Sequence, residues 1–285
     1  MRHNKKKRSA KAVHASKQIH QSQEKQKKRE IMTASFSIIG DRLTQEDALY
    51  ISTDRQLPSK QKNRILAAIC DGMGGMANGG QASATAIQMI KDTFEQVQGD
   101  LEVNIPNFLI SGIKTIDKTI HEFPKEGGRG SGTTIVAVLV EEDQLYWASV
   151  GDSRIYILRE GTLTQVTRDH NYMLRLQSMV DQGQITQEEA DTNRQREALI
   201  SFLGIGNVSL MDVNMDPFTL QSGDIILLTS DGMTKVLSDE QIRDILSDNS
   251  SVGDKAKKLV ETAVEQNMRS QDNTTVALLQ YQETI

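Results

Sequence analysis

Aspartates stand at the ends of the apolar runs of this chain, and that placement restricts its fold more than any other feature. Short runs rich in β-branched and large apolar residues cover 35–39, 48–53, 64–70, 133–140, 144–150, 154–159, 224–229 and 275–281. Each reads as a strand. Asp71 follows the run 64–70, Asp152 follows 144–150 after one glycine, and Asp231 follows the run ending at Thr229. Asp47 and Asp272 instead stand just before strands. In an antiparallel pair the end of one strand lies beside the start of its neighbour, so all five carboxylates can converge at one rim.

Helical patterns occur in groups between the strands. Residues 81–98 and 107–123 come together in the first half. Near the end, Ser238 and Gln241 form a capping-box pattern, and Ala256, Leu259, Val260, Ala263 and Val264 make a stripe at helical spacing. Runs of strands separated by pairs of helices predict an α+β fold with antiparallel sheets covered by helices. Glu160-Gly161 has the chemistry of a tight hairpin turn. Residues 172–200 differ: Thr186 and Glu189 form another cap, but the stretch 191–197 is charged and without apolar period. We read 172–200 as a helical, flap-like excursion from one domain spanning 33–285.

Residues 1–32 are set apart by charge. The first 30 carry 11 Lys/Arg against Glu24 and Glu30, a net of +9, while the whole chain is −5, so residues 31–285 carry −14. With few apolar residues and no aromatics, such an arm cannot offset the entropy of folding by itself. It is expected to be a disordered basic extension, with an electrostatic contact to an anionic partner as the sharper alternative. No stretch approaches the roughly 20 apolar residues of a membrane-spanning helix, and the charged start has no apolar segment after it. Cys70 is the single cysteine, so no internal disulfide can form. A reducing, cytoplasmic location is the expectation.

Converging carboxylates repel one another, and burying them without counter-charge is expensive. Lysines or arginines could supply that charge, and so could divalent cations. All-oxygen sites suit Mg²⁺ or Mn²⁺, whereas zinc is disfavoured with only His121, His170 and Cys70 as softer donors in the domain. A single aspartate after a strand is most often a turn or cap residue, but the local sequences point further. Asp71-Gly72-Met73-Gly74-Gly75 runs directly into Met76-Ala77-Asn78-Gly79-Gly80. So dense a glycine cluster lets the backbone approach a ligand, and the Gly72 carbonyl could join a coordination shell. Arg154 is expected to pair with a carboxylate, His170 to act as a structural donor, and Cys70 and Trp147 to lie in the core.

These residues together resemble the metal-dependent protein phosphatases, the type-2C serine/threonine phosphatase family. The ordered match is Arg42 with Glu46-Asp47, Asp71-Gly72-Met73-Gly74-Gly75, Gly130-Ser131-Gly132-Thr133-Thr134 and Gly151-Asp152-Ser153-Arg154. It continues with Asp169-His170, Ser230-Asp231-Gly232-Met233 and Asp272-Asn273-Thr274-Thr275. The likeness spans about residues 35–281 and omits only the basic arm.

The resemblance implies a four-layer α-β-β-α sandwich and a centre of two Mn²⁺ or Mg²⁺ ions. By position, Asp71 would bridge both ions, with the Gly72 carbonyl on one and Asp231 and Asp272 on the other. Glu46 and Asp47 would add coordination or hold bound waters, and Asp152 matches the residue for a third, weaker ion. Arg42 matches the arginine that grips substrate phosphate. Two such ions would lower the pKa of a bridging water enough for hydroxide to form near neutral pH and attack phosphoserine or phosphothreonine. Partners would be phosphorylated proteins and an opposing serine/threonine kinase, and the chain is expected to be a monomer. Met73 stands where animal members carry a histidine. Methionine cannot donate a proton, so a bound water would have to serve, and this change points to the bacterial branch. The usual His-Pro-x-Arg-Asn stretch is replaced by Asn193-Arg194-Gln195-Arg196-Glu197. Two alternatives remain at this level: a non-catalytic binding module of the same fold, and a phosphatase dedicated to one partner.

Overall fold

The strand-like runs resolve into two antiparallel sheets in the computed structural model, which describes residues 28–52, 64–73, 78–97, 102–125, 127–128, 130–266 and 270–284. One sheet contains β1 (Lys28–Ile38), β11 (Thr274–Thr284), β10 (Ile225–Thr229), β6 (Arg154–Arg159) and β7 (Thr162–Gln165), in that order. The other contains β2 (Asp47–Ile51), β3 (Arg64–Asp71), β4 (Ile135–Glu141), β5 (Gln144–Val150) and β8 (Asp212–Val213), with β9 (Phe218–Thr219) also paired to β5. All the pairings are antiparallel.

Side-chain alternation along the strands separates three apolar layers. Ile65, Ala67 and Ile69 of β3 face the opposite sheet, where they join Val136, Val138, Ile155, Ile157, Ile226, Leu228, Ala277 and Leu279. Leu66, Ala68 and Cys70 point the other way, onto α1 (Gly79–Val97) and α2 (Ile105–His121). The outer face of the first sheet is covered by α6 (Asp239–Ser247) and α7 (Val252–Gln266) through Ile242, Leu246, Leu259 and Val260. The result is the expected α-β-β-α sandwich. Both central strands are buried on two faces, which explains their unbroken apolar sequences.

The start of the domain differs from the expectation. β1 begins at Lys28 and pairs with β11 along its whole length, from Lys28↔Thr284 to Ile38↔Thr274. Residues 28–32, expected in the arm, therefore belong to the sheet. The strand was hidden because β1 is an edge, largely exposed, and its first residues are charged. Arg29 fixes this start by reaching Glu142 at 2.9 Å and Asp143 at 3.3 Å in the β4–β5 turn. The rest of the basic arm, residues 1–27, lies outside the described residues. So do residues 53–63, which include the end of one expected strand, and residues 74–77 of the glycine cluster.

Both capping boxes form, at Ser238 and Gln241 and at Thr186 and Glu189. The last stripe is buried at Ala256, Leu259, Val260 and Ala263, whereas Val264 is 39% exposed at its margin. The excursion contains α3 (Tyr172–Asp181) and α4 (Gln187–Asp191). It leaves and returns at one point, where Asn171 bridges Leu199 and Ile200 N donates to His170 O at 2.9 Å.

The segment after the excursion is clamped by a buried carboxylate. Asp117 on α2 is 1% exposed and accepts from the backbone N–H groups of Gly204 at 2.8 Å, Gly206 at 3.0 Å and Val208 at 3.0 Å. Gly204 and Gly206 adopt φ of +104° and +90°, where a β-carbon would meet Ser131 O and the His121 ring. Leu203, just before them, exchanges two hydrogen bonds with Thr133, at 3.1 and 2.8 Å. Removing the Asp117 carboxylate would leave three donors unsatisfied, each costing about 1–3 kcal/mol if it stays dry. Asp117→Ala is therefore expected to lower stability by about 3 kcal/mol or more in urea denaturation, with faster amide exchange at 204–208.

Candidate active site

Antiparallel pairing places Asp47, the first residue of β2, directly opposite Asp71, the last of β3. The Asp71 main chain is held from both sides. Its N–H donates to Thr134 Oγ1 at 3.0 Å, and its carbonyl accepts from Thr133 Oγ1 at 2.8 Å and Thr134 N at 2.9 Å. Gly72 N donates to Glu46 O at 3.1 Å. A β-carbon on Gly72 would lie 2.5 Å from the Gly79 backbone and 2.7 Å from Glu46 O, so only glycine fits this crossing.

Asp231 arrives from the other sheet. It opens the short helix α5 (Asp231–Thr234) immediately after β10, an element that the apolar pattern did not signal. Ser230 ties the two sheets together, donating from its hydroxyl to Asp47 Oδ2 at 2.8 Å and accepting from Thr275 N at 3.0 Å. Asp272 lies just before β11. Its neighbour Asn273 fixes the loop that carries Arg42, donating to Ile39 O at 2.8 Å and Thr44 O at 3.1 Å and accepting from Glu46 N at 2.8 Å. Gln45 accepts from Asp47 N at 3.0 Å and anchors on Ser37 and Ile38, so this residue steadies the acidic strand end.

Asp152 is set by the turn between β5 and β6. Gly151 takes φ +107° and donates to His170 Nδ1 at 3.2 Å, while His170 N donates back to Gly151 O at 2.9 Å. Because Nδ1 accepts, the ring proton belongs on Nε2, which stands 3.5 Å from Asp212 Oδ1. His170 was expected as a donor, and at this bond it is the acceptor. Burial alone would raise Asp212, yet the adjoining His170 and Arg168 outweigh it and hold that carboxyl well below the usual range. Arg154 grips Asp169 with two bonds of 2.9 and 2.7 Å. Cys70 is fully buried, and burial followed by nearby Asp47 and Asp71 pushes its thiol up, out of reactive range. Trp147 is partly buried against the inter-sheet core rather than enclosed by it.

Arg42, Glu46, Asp71, Gly72, Met73, Asp152, Asp231 and Asp272 line one cleft of about 270 Å³, together with Thr134, Lys235 and the excursion residues Glu197 and Leu199. Asp47 does not line it and sits one layer beneath. The cleft brings together the expected site residues except Asp47, and it adds Lys235, which sequence reasoning missed because the apolar pattern did not mark the helical turn that carries it.

The electrostatics of the cleft are dominated by unbalanced negative charge. Burial, then the charges of Asp231, Asp47, Asp152 and Asp272, push the Asp71 carboxyl well up. Burial lifts Asp47 to about 6 against the hydroxyls of Thr275 and Ser230. Burial and Asp231 lift Asp152 to about 7, opposed by Lys235. At an effective dielectric of about 20, two like unit charges about 6 Å apart repel by about 3 kcal/mol. Two side-chain cations answer this. Arg42 Nη2 donates to Asp272 Oδ2 at 2.6 Å, and Lys235 Nζ is paired with Asp231 Oδ2. Among the described residues no three His, Cys, Asp or Glu side chains are drawn into a closed coordination shell. The donor set nevertheless fits an oxygen-liganded divalent cation: burial first, and then neighbouring carboxylates, oppose the charge on Asp71, Asp47 and Asp152, and Asp47 Oδ1 is buried without a hydrogen-bond partner.

Comparison with known proteins agrees with this geometry. A family model described as protein phosphatase 2C matches residues 6–175. The serine/threonine phosphatase stp of Listeria welshimeri is 31% identical over 221 residues, covering 76% of this chain and 85% of that protein. Protein phosphatase PhpP of Streptococcus pneumoniae is 32% identical over 221 residues, covering 77% and 87%. Among solved structures, the serine/threonine phosphatase Stp1 from Staphylococcus aureus superposes with a TM-score of 0.73 at 29% identity, over 88% of this chain and 95% of that one. The catalytic domain of the phosphatase PstP, solved in complex with two manganese ions, gives 0.67 at 30% identity over 90% and 100%.

The Gly72 crossing is open to direct challenge. Gly72→Ala must displace backbone at Gly79 or Glu46 and with it the Asp71 carboxylate. A misplacement of this kind is expected to reduce turnover of p-nitrophenyl phosphate on the order of 10²-fold, with secondary structure by circular dichroism retained.

Proposed function

The chain belongs to the protein phosphatase 2C family, and from that premise we propose that it hydrolyses phosphoserine and phosphothreonine in proteins with Mn²⁺ or Mg²⁺ held by Asp71, Asp231 and Asp272. The observation that carries this reading is the meeting of Asp71, Asp152, Asp231 and Asp272 in one cleft beside Arg42. Relatives named as serine/threonine phosphatases support the substrate class, and the structure of PstP with two manganese ions supports a two-ion centre.

When bound, the ions supply water activation near neutral pH and neutralise charge on the phosphoryl group. The remaining roles fall to the chain itself. Asp71 and the Gly72 carbonyl would hold the ions from one sheet, and Asp231 and Asp272 would hold them from the other. Glu46 and Asp47 support them, Asp47 from below through Ser230. Arg42 is half exposed and holds Asp272 through one nitrogen, so its guanidinium can turn to take two phosphate oxygens at once, a geometry lysine cannot match. Met73 lines the cleft but has no proton to give, which leaves protonation of the leaving alkoxide to water. Glu197 and Leu199 border the cleft from the excursion and limit how a phosphorylated segment can enter.

The physiological setting follows the same reading. The substrates would be phosphoproteins made by an opposing serine/threonine kinase, acted on by a monomer in the cytoplasm. No helix among the described residues is long and apolar enough to cross a membrane. The basic arm, net +9 over residues 1–30, would contact an anionic partner. A non-catalytic role gains no support, since Asp71, Asp231 and Asp272 are all present at the cleft.

Turnover of a phosphothreonine peptide with Mn²⁺ tests the proposal. Activity is expected to vanish with EDTA and to fall on the order of 10³-fold in Asp231→Asn. Turnover that survives both treatments would eliminate the metal-dependent reading.

A further inference from the structure

One cation in the cleft has no assigned role so far. Lys235 caps the C-terminal end of α5, one helical turn after Asp231, and its Nζ is paired with Asp231 Oδ2. Its side chain is 51% exposed whereas that of Asp231 is 16% exposed, so the ammonium reaches inward from the mouth. Its positive charge also bears on Asp152 and Asp272. Arg42 and Lys235 are the basic side chains lining the cleft, and Arg42 is held on the far side by Asp272. The arginine nearest Asp152 in sequence, Arg154, is already committed to Asp169. Lys235 is thus the side-chain cation that serves the Asp152–Asp231 side.

We infer that Lys235 is a tethered cation that stands in for a divalent ion between Asp231 and Asp152. This rests on the metal-dependent reading above and revises one part of it: the charge expected at Asp152 is built into the chain rather than drawn from solution. An ammonium brings one charge on a flexible stem, whereas Mg²⁺ or Mn²⁺ needs near-octahedral oxygen ligands at about 2.0–2.2 Å. The ammonium already stands at Asp231 Oδ2, so a cation entering between that oxygen and Asp152 meets like charge. The lysine holds the advantage because its stem keeps it at high effective concentration beside the carboxylates. A proton in this pocket would also relieve repulsion, but it would not exclude a metal in the way a bound ammonium does.

The test uses the full chain in wild-type, Lys235→Met and Lys235→Arg forms, titrated with MnCl₂ in equilibrium dialysis and by calorimetry. Methionine keeps the stem and deletes the charge, and the half-exposed site makes both variants compatible with the fold, as melting curves would verify. Lys235→Met is expected to bind one Mn²⁺ more per chain than wild type, Lys235→Arg to match wild type, and the added ion to be lost again in Lys235→Met/Asp152→Asn. Coincident isotherms for wild type and Lys235→Met would overturn the inference while leaving the metal centre intact. A raised KM for a phosphopeptide with coincident isotherms would also overturn it, by making Lys235 a contact for substrate phosphate. Failure of wild type to bind any Mn²⁺ would instead remove the metal-dependent reading, and the inference with it.

Discussion

Mutual repulsion among buried carboxylates at one rim of the sandwich is the constraint on which the rest of the molecule depends. Burial and proximity both oppose ionisation of Asp71, Asp47 and Asp152, and the displaced carboxyl groups record the conflict. A fold that gathers such groups gives up stability there and must recover it elsewhere. It does so in three apolar layers whose strands are buried on one or both faces, each enclosed Ile or Leu contributing about 1.5–3 kcal/mol. The acidic rim is tolerable because positive charge stands in it, from Arg42 and Lys235 within the chain, and the proposed divalent ions would add more.

The sandwich is suited to this because antiparallel pairing delivers strand starts and strand ends to the same edge. Asp47 and Asp71 come from neighbouring strands of one sheet, and Asp231 and Asp272 from the ends of neighbouring strands of the other. Neutral groups then hold the positions that the charges would otherwise push apart. Thr133 and Thr134 lock the Asp71 backbone, Ser230 bridges Asp47 to the second sheet, and Asn273 fixes the Arg42 loop. The same Thr133 pairs with Leu203, whose continuation is clamped by Asp117. The root of the excursion and the pedestal of Asp71 are thereby one continuous network of hydrogen bonds.

Most of this was legible in the sequence, and the exceptions have physical causes. Strands with two buried faces announce themselves: 144–150 and 154–159 were bounded correctly because their apolar runs end at sharp turns. The edge strand β1 was shortened, since 28–32 pair with β11 along the sheet edge while only Ile31 packs against the inter-sheet core, too little to mark a strand. β8 and β9 are two residues each and leave no periodic trace. At the site, the aspartates and Arg42 could be named from motif order alone, but the partners they take could not. Asp272 with Arg42, Asp231 with Lys235, and Gly151 with His170 are meetings of side chains and loops that only the folded chain defines.

Metal-linked melting tests the central claim most directly. If the rim awaits divalent cations, Mn²⁺ at about 100 times its dissociation constant stabilises the wild-type chain by about 2.7 kcal/mol. Asp71→Asn removes the most strongly opposed charge, so it should melt above wild type without metal and gain little when Mn²⁺ is added. That crossing pattern is the predicted result. A wild-type melting curve unmoved by Mn²⁺, or an Asp71→Asn curve that shifts as far as the wild type, would contradict the account.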